Sequence, residues 1–134
     1  MTRVVVPVRY PLSKHSRRTL EAAIDIARER EAALTVLHVN MYQESRRVER
    51  LDLKEAVEEA FGPQKNARYV VRRGFLVEET LLDEVAAEGA DVVVIGSKQS
   101  GRWRRMLEKL VDDPDIDQYL REHLDCEVVT VRAD

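Results

Sequence analysis

Val92-Val93-Val94-Ile95 is a run of four β-branched residues that breaks at once into Gly96 and the polar stretch Ser97-Lys98-Gln99-Ser100-Gly101. Branching at Cβ restricts side-chain freedom in a helix and suits a pleated strand. A strand with no polar alternation is apolar on both faces and needs cover above and below. A parallel sheet between two helical layers provides it. Gly96 lets the backbone turn. The sequence predicts an open loop over residues 97–101, at the strand's carboxyl end, where open α/β sheets bind ligands.

The rest of the chain alternates around this strand. Arg3–Val8 is a second buried-type strand, with Pro7 near its end because proline has no N–H to give a ladder. Ser13 or Ser16 is placed to cap a helix over Ser16–Arg30. There Leu20, Ala23, Ile24 and Ala27 share one face, and Arg17, Glu21, Asp25 and Arg28 take the other. Ala33–Val39 reads as a strand. A second helix runs to about Phe61, with Val48, Leu51, Val57, Ala60 and Phe61 as its apolar stripe, and Gly62-Pro63 ends it. Ala67–Arg72 alternates like an edge strand with one wet face. Val77–Glu88 is a third helix with Val77, Leu81, Leu82 and Val85 inward. Arg102–Val111 and Asp115–Leu124 are helical, and Glu127–Val131 is a fifth strand. The β-α alternation gives an α/β fold: one domain over 1–134, a five-stranded parallel doubly wound sheet with helices on both faces.

Composition narrows the function. The net charge is −3 with 35% charged residues, so no global basic field draws nucleic acid or an acidic membrane. No apolar run approaches the ~20 residues of a membrane span, and the chain opens on a strand without a signal-peptide pattern. With Cys126 as the single cysteine, a disulfide within the chain is impossible, and a reducing cytoplasm is the expected compartment.

These segments resemble the universal stress protein family over nearly the whole chain. The family's first strand ends in Pro-Val-Asp, its first helix starts near His-Ser, and its second strand reads Leu-His-Val. Here the pieces are Val4–Val8 with Arg9, His15-Ser16 and Leu37-His38-Val39. The fourth strand resembles Ala90–Ser97, and the C-terminal helix and strand resemble Tyr119–Arg132. The resemblance implies an adenine nucleotide alpha hydrolase-like fold, frequent dimerisation through the last strand, and ATP binding at the strand ends in some members. The family's phosphate motif is Gly-x-x-Gly followed, further on, by Gly-Ser or Gly-Thr, whose small residues let backbone N–H groups reach phosphate oxygens.

This chain departs from that motif. Gly96 matches the first glycine, but Gln99 stands at the second. The Gly-Ser pair aligns with Pro114-Asp115, which offers a missing N–H and a carboxylate, and Asp117 takes the next hydroxyl position. A carboxylate at ~4 Å from a phosphate oxygen costs on the order of 4 kcal/mol at an effective dielectric near ~20. Arg9 replaces the strand-end acid, and residues around Glu108–Asp113 look inserted. The residues of the vestigial nucleotide site are therefore Pro7, Arg9, Val39, Gly96, Ser97, Gln99 and Asp115. The expected function is a non-enzymatic regulatory or interaction module with no cofactor. ATP or AMP is disfavoured, and binding of either through a divergent loop is the alternative.

Other signals have plain readings. Lys98, Arg102, Arg104, Arg105 and Lys109 surround Trp103, which suits either a nucleic-acid stacking platform or a solvated helix with one anchoring aromatic; the acidic net charge favours the second. His15, His38 and His123 lie apart, without metal-ligand spacing. Ser97 has no base placed beside it, and Cys126 suits a small core residue better than a redox switch. Three expectations follow for the structure. Glu127–Val131 is an edge that pairs with a second copy to make a homodimer, beside an unidentified protein partner. Trp103, Leu107 and Leu110 face inward over the cleft. Arg9 reaches Asp115 or Asp117 across the old phosphate position.

Overall fold

The computed structural model describes residues 2–132. Five parallel strands lie in the order β3-β2-β1-β4-β5. They are β1 (Arg3–Pro7), β2 (Ala33–Met41), β3 (Ala67–Gly74), β4 (Val92–Gly96) and β5 (Glu127–Val131). The helices are α1 (Lys14–Glu29), α2 (Arg50–Phe61), α3 (Val77–Ala87), α4 (Ser97–Leu107) and α5 (Ile116–Leu124). The valine run is indeed buried on both faces: Val4, Val6, Val92 and Val94 point to the core under α1 and α2, while Val5, Val93 and Ile95 point to the core under α3, α4 and α5. The doubly wound arrangement follows from this alternation along strands that are apolar throughout.

The helix ends are set by short-range chemistry. Ser13 caps α1 by accepting from the Ser16 N–H at 3.1 Å. Ser16 uses its own Oγ to accept from the Arg9 N–H at 2.9 Å, which fixes the β1–α1 loop. Glu49 and Asp52 form a reciprocal capping box at the start of α2. The edge strand β3 carries arginines on one face, as its alternation predicts. That face is tied to α3, where Arg68 meets the buried Glu88 at 2.7 Å and Arg72 meets Glu84 at 3.0 Å.

Three local expectations need correction. Residues 97–101 are not an open loop; Ser97 begins α4 directly after β4. Gly96 adopts φ −78° and ψ 160°, which any residue can hold. Its glycine character serves a close approach instead, because a Cβ there would meet Thr19 Oγ1 of α1 at 3.3 Å. In α2 the buried pair is Leu53 and Val57, one turn apart, while Leu51 is exposed. Leu110 is also exposed: α4 ends at Leu107, so the periodicity that would carry residue 110 inward stops first.

Candidate functional site

The strand order places a switch point between β1 and β4. From β1 the chain winds outward through β2 and β3, then returns to the other side of β1 as β4. The connections leaving the carboxyl ends of β1 and β4 therefore diverge and leave a crevice between them, the usual ligand position in such sheets. A cleft of about 780 Å³ opens there. That is within the ~300–1,000 Å³ of small-molecule sites.

Its floor is the ends of the strands: Pro7 and Val8 of the first connection, Val39, and Gly96. One wall is apolar, made by Phe75, Leu76, Val77 and Leu81 where β3 passes into α3. A second part of the lining is cationic, with Arg9 from the β1–α1 loop and Lys98, Gln99 and Arg102 from the first turns of α4. Tyr10 and Glu44 close one end. Arg46 lies over the Tyr10 ring at 5.1 Å from its centroid, and the Tyr10 ring sits edge-on to His38 at 6.2 Å.

His38 is the most constrained polar group of the cleft. Its Nδ1 lies 2.9 Å from the Val8 carbonyl oxygen, which can only accept, so Nδ1 carries the proton. Burial holds the imidazole pKa below its ordinary value, against the opposing effect of that bond and of Glu44. Near neutral pH the ring is therefore uncharged, and Nε2 presents a lone pair. That atom has no hydrogen-bond partner within the protein. Among the described residues, three of the four buried side-chain atoms without a partner belong to cleft residues: His15 Nδ1, His38 Nε2 and Gln99 Nε2.

A second recess of about 390 Å³ lies on the other side of α4 and is lined by Ser100, Arg104, Thr130 and the segment 113–117. Asp115 is the N-cap of α5, accepting from the Gln118 N–H at 3.2 Å. Arg104 meets Asp113 at 2.7 Å. The expected pairing of Arg9 with Asp115 or Asp117 is absent: Arg9 lines the large cleft, the two aspartates line the recess, and α4 runs between them. The early start of α4 causes this separation and gives the acidic recess its cation from Arg104. The protein's own Asp115 carboxylate satisfies the start of α5.

The sequence-derived residues are thus divided. Pro7, Arg9, Val39, Gly96 and Gln99 meet in the cleft, Asp115 lies in the recess, and Ser97 is exposed at the start of α4 outside both linings. Sequence reasoning missed His38, His15, Tyr10 and Arg102 as cleft residues. For His38 the available signal was a titratable side chain within a strand that is buried along its length.

Trp103 is fully buried beneath the basic surface of α4, and its Nε1 donates to the Glu78 carbonyl at 3.1 Å. It is an anchor of α4 on α3 and offers no face for base stacking. Cys126 is buried, and burial pushes its thiol pKa up to about 11, so it is no activated nucleophile. No helix among the described residues is long and apolar enough to cross a membrane.

A family model described as "Universal stress protein family" matches residues 1–132. No curated protein matches the sequence. Solved structures of similar fold include universal stress protein UspA from Lactobacillus plantarum, 18% identical, with a TM-score of 0.63, covering 98% of this chain and 97% of that one. A universal stress protein in complex with cAMP is 17% identical with a TM-score of 0.60, and the match covers 97% of both chains. A universal stress protein from Archaeoglobus fulgidus is 17% identical with a TM-score of 0.57, covering 97% of this chain and 98% of that one.

Proposed function

We propose, given that this chain belongs to the universal stress protein family, that it is a non-catalytic regulatory or interaction module of the cytoplasm whose cleft does not take ATP in the family's usual manner. The observation that carries this reading is the direct entry of β4 into α4, with Gln99 in the helix's first turn where the motif needs a glycine. A helix there has its backbone N–H groups committed to its own carbonyls beyond the first turn, so it cannot wrap a polyphosphate as a glycine loop does. On the far side of α4, Asp113, Asp115 and Asp117 surround the start of α5, and Asp115 already occupies the N-cap. Phosphate oxygens there would meet carboxylates instead of N–H donors.

The chemistry of the cleft supports a binding role over a catalytic one. The Ser13 and Ser16 hydroxyls accept backbone N–H bonds, and His38 is locked to Val8 through Nδ1. Neither serine is hydrogen-bonded to an imidazole, the arrangement that would make it a nucleophile. A second reading, an adenine nucleotide site with a divergent phosphate loop, draws on the open 780 Å³ cleft and on the cAMP bound in one relative of the same fold. Titration calorimetry with Mg-ATP separates the two. The expected result is no saturable binding at micromolar concentration, and a micromolar Kd overturns the first reading.

A further inference from the structure

The large cleft is bipolar, and its polarity differs from that of a nucleoside triphosphate site. Its lining combines the apolar Phe75, Leu76, Val77 and Leu81 with the cationic Arg9, Lys98 and Arg102. Among the described residues, neither the Arg9 nor the Arg102 guanidinium has an ion-pair or hydrogen-bond partner. Two carboxylates also line the cleft. Glu44 accepts from Asn40 Nδ2 at 3.0 Å, and Glu78 is the only acid that offsets the positive charges around Arg102. Burial, Arg9 and Arg105 together outweigh it and lower the Arg102 pKa. Arg102, half-buried beside Arg9 and Arg105 and offset only in part by Glu78, carries a cost that an anion reduces. Alongside them, Gln99 Nε2 is a buried donor with no partner, and His38, only 7% exposed, keeps a bare acceptor at Nε2.

We propose that the cleft binds a small amphipathic anion, with an apolar or planar body against the β3–α3 wall and a single charged head group held by Arg9 and Arg102. The head group is a carboxylate, sulfonate or phosphate monoester. The arginine fork pairs with two oxygens of such a group, and the Gln99 amide supplies a further donor. His38 Nε2 accepts from an N–H or O–H on the ligand body. The inference rests on the reading that the polyphosphate position is closed, because it puts the anion on the opposite side of α4 from the start of α5. It adds that charge beyond one head group gains nothing, because α4 separates the cleft from the N–H groups at the start of α5.

Two dyes that differ only in a sulfonate test this: 1-anilinonaphthalene-8-sulfonate and N-phenyl-1-naphthylamine. The whole chain is expected to bind one sulfonated dye per molecule, about ten-fold or more tighter than the neutral dye, as removal of a charge-assisted pair implies. In the Arg9→Gln/Arg102→Gln double variant, both at least partly solvent-exposed positions, that preference is expected to vanish while neutral-dye binding stays unchanged. Phe75→Ala is expected to weaken both dyes equally. A preference that survives in the double variant, or several sulfonated dyes bound per chain, overturns the proposal. Displacement of the dye by AMP and by Mg-ATP keeps the two ideas apart. Equal displacement by both supports single-head-group binding. Much stronger displacement by ATP overturns this inference and the closed phosphate position together. Absence of any sulfonate preference in the unaltered chain, with no ATP binding, overturns this inference alone.

Discussion

Asn40 offers the sharpest test of how the cleft is held in shape. It is fully buried at the end of β2 and fastens the connection to α2 from inside. Its Oδ1 accepts from the Val48 N–H at 2.9 Å, and its Nδ2 donates to the Arg46 carbonyl at 3.1 Å and to Glu44 Oε2 at 3.0 Å. Asn40→Ala removes all three bonds and leaves the Val48 N–H, in a buried residue, without an acceptor. A buried group stranded in this way costs about 1–3 kcal/mol, and the two bonds to the more accessible partners add about 0.5–1.5 kcal/mol each. The expected loss is therefore about 4 kcal/mol. With a urea m-value of about 2 kcal/mol/M, the unfolding midpoint falls by about 2 M. Urea titration followed by far-ultraviolet circular dichroism measures it. Asn40→Asp sharpens the result: the new carboxylate still accepts from Val48 but faces Glu44 and the Arg46 carbonyl, which raises its pKa in the folded state. A group with a raised folded pKa binds protons on folding, so this variant loses stability as pH rises and recovers as pH falls. A loss under about 0.5 kcal/mol for Asn40→Ala, where the estimate requires one stranded group alone to cost more, would refute the reasoning.

Trp103 is expected to emit in the blue and to resist acrylamide, and Trp103→Phe, which removes the bond to the Glu78 carbonyl and leaves a gap in the buried α3–α4 contact, to lose about 1–3 kcal/mol in the same urea titration; a red, readily quenched spectrum rules out the buried anchor. Cys126, with its thiol pushed up to about 11, is expected to react with a disulfide reagent at neutral pH only as fast as the chain unfolds, and rapid stoichiometric labelling of native protein contradicts this. We propose further that β5, an edge strand whose side chains are mostly half-buried, pairs with its copy in a symmetric homodimer. Light scattering is expected to give twice the chain mass at micromolar concentration, and Thr130→Pro, which removes an outward-facing edge N–H while those of Glu127 and Val129 stay on β4, to shift it toward one chain.

Much of the fold was legible because the strongest signals are local and redundant. Unbroken β-branched runs can only be buried strands, and α1 shows its apolar stripe, its Ser13 cap and its charged face within a few turns. The failures share a cause in tertiary context. Nothing within residues 97–101 separates a loop from a helical first turn; that depends on α4 gaining a burial site for Trp103 against α3. Leu51 and Leu53 are equally apolar, and only the direction in which α2 approaches the sheet selects Leu53. At the site, the resemblance to the family's motif pointed to Pro7, Arg9, Val39, Gly96 and Gln99, which meet in the cleft. The sequence assigned Arg9 the wrong partner, because opposite charges in a list carry no information about the helix between them. His38 was hidden by its surroundings: its meaning depends on which ring nitrogen finds Val8, a fact of geometry.

The valines that alternate along β1 and β4 turn the sheet into a septum. Val4 and Val6 belong to one compartment of the interior and Val5 to the other, and the side chains of the two never mix. Asn40 ties down a connection on the α2 side, whereas the only tryptophan reports from the α3–α5 side. Damage at one is therefore visible at the other only through the strands both compartments share. Recording the indole signal alongside the circular dichroism of the Asn40 variants would thus gauge how well a parallel sheet couples its two sides. Superimposed curves mean that the septum transmits the whole loss, and an indole curve displaced to higher urea means that one compartment outlives the other.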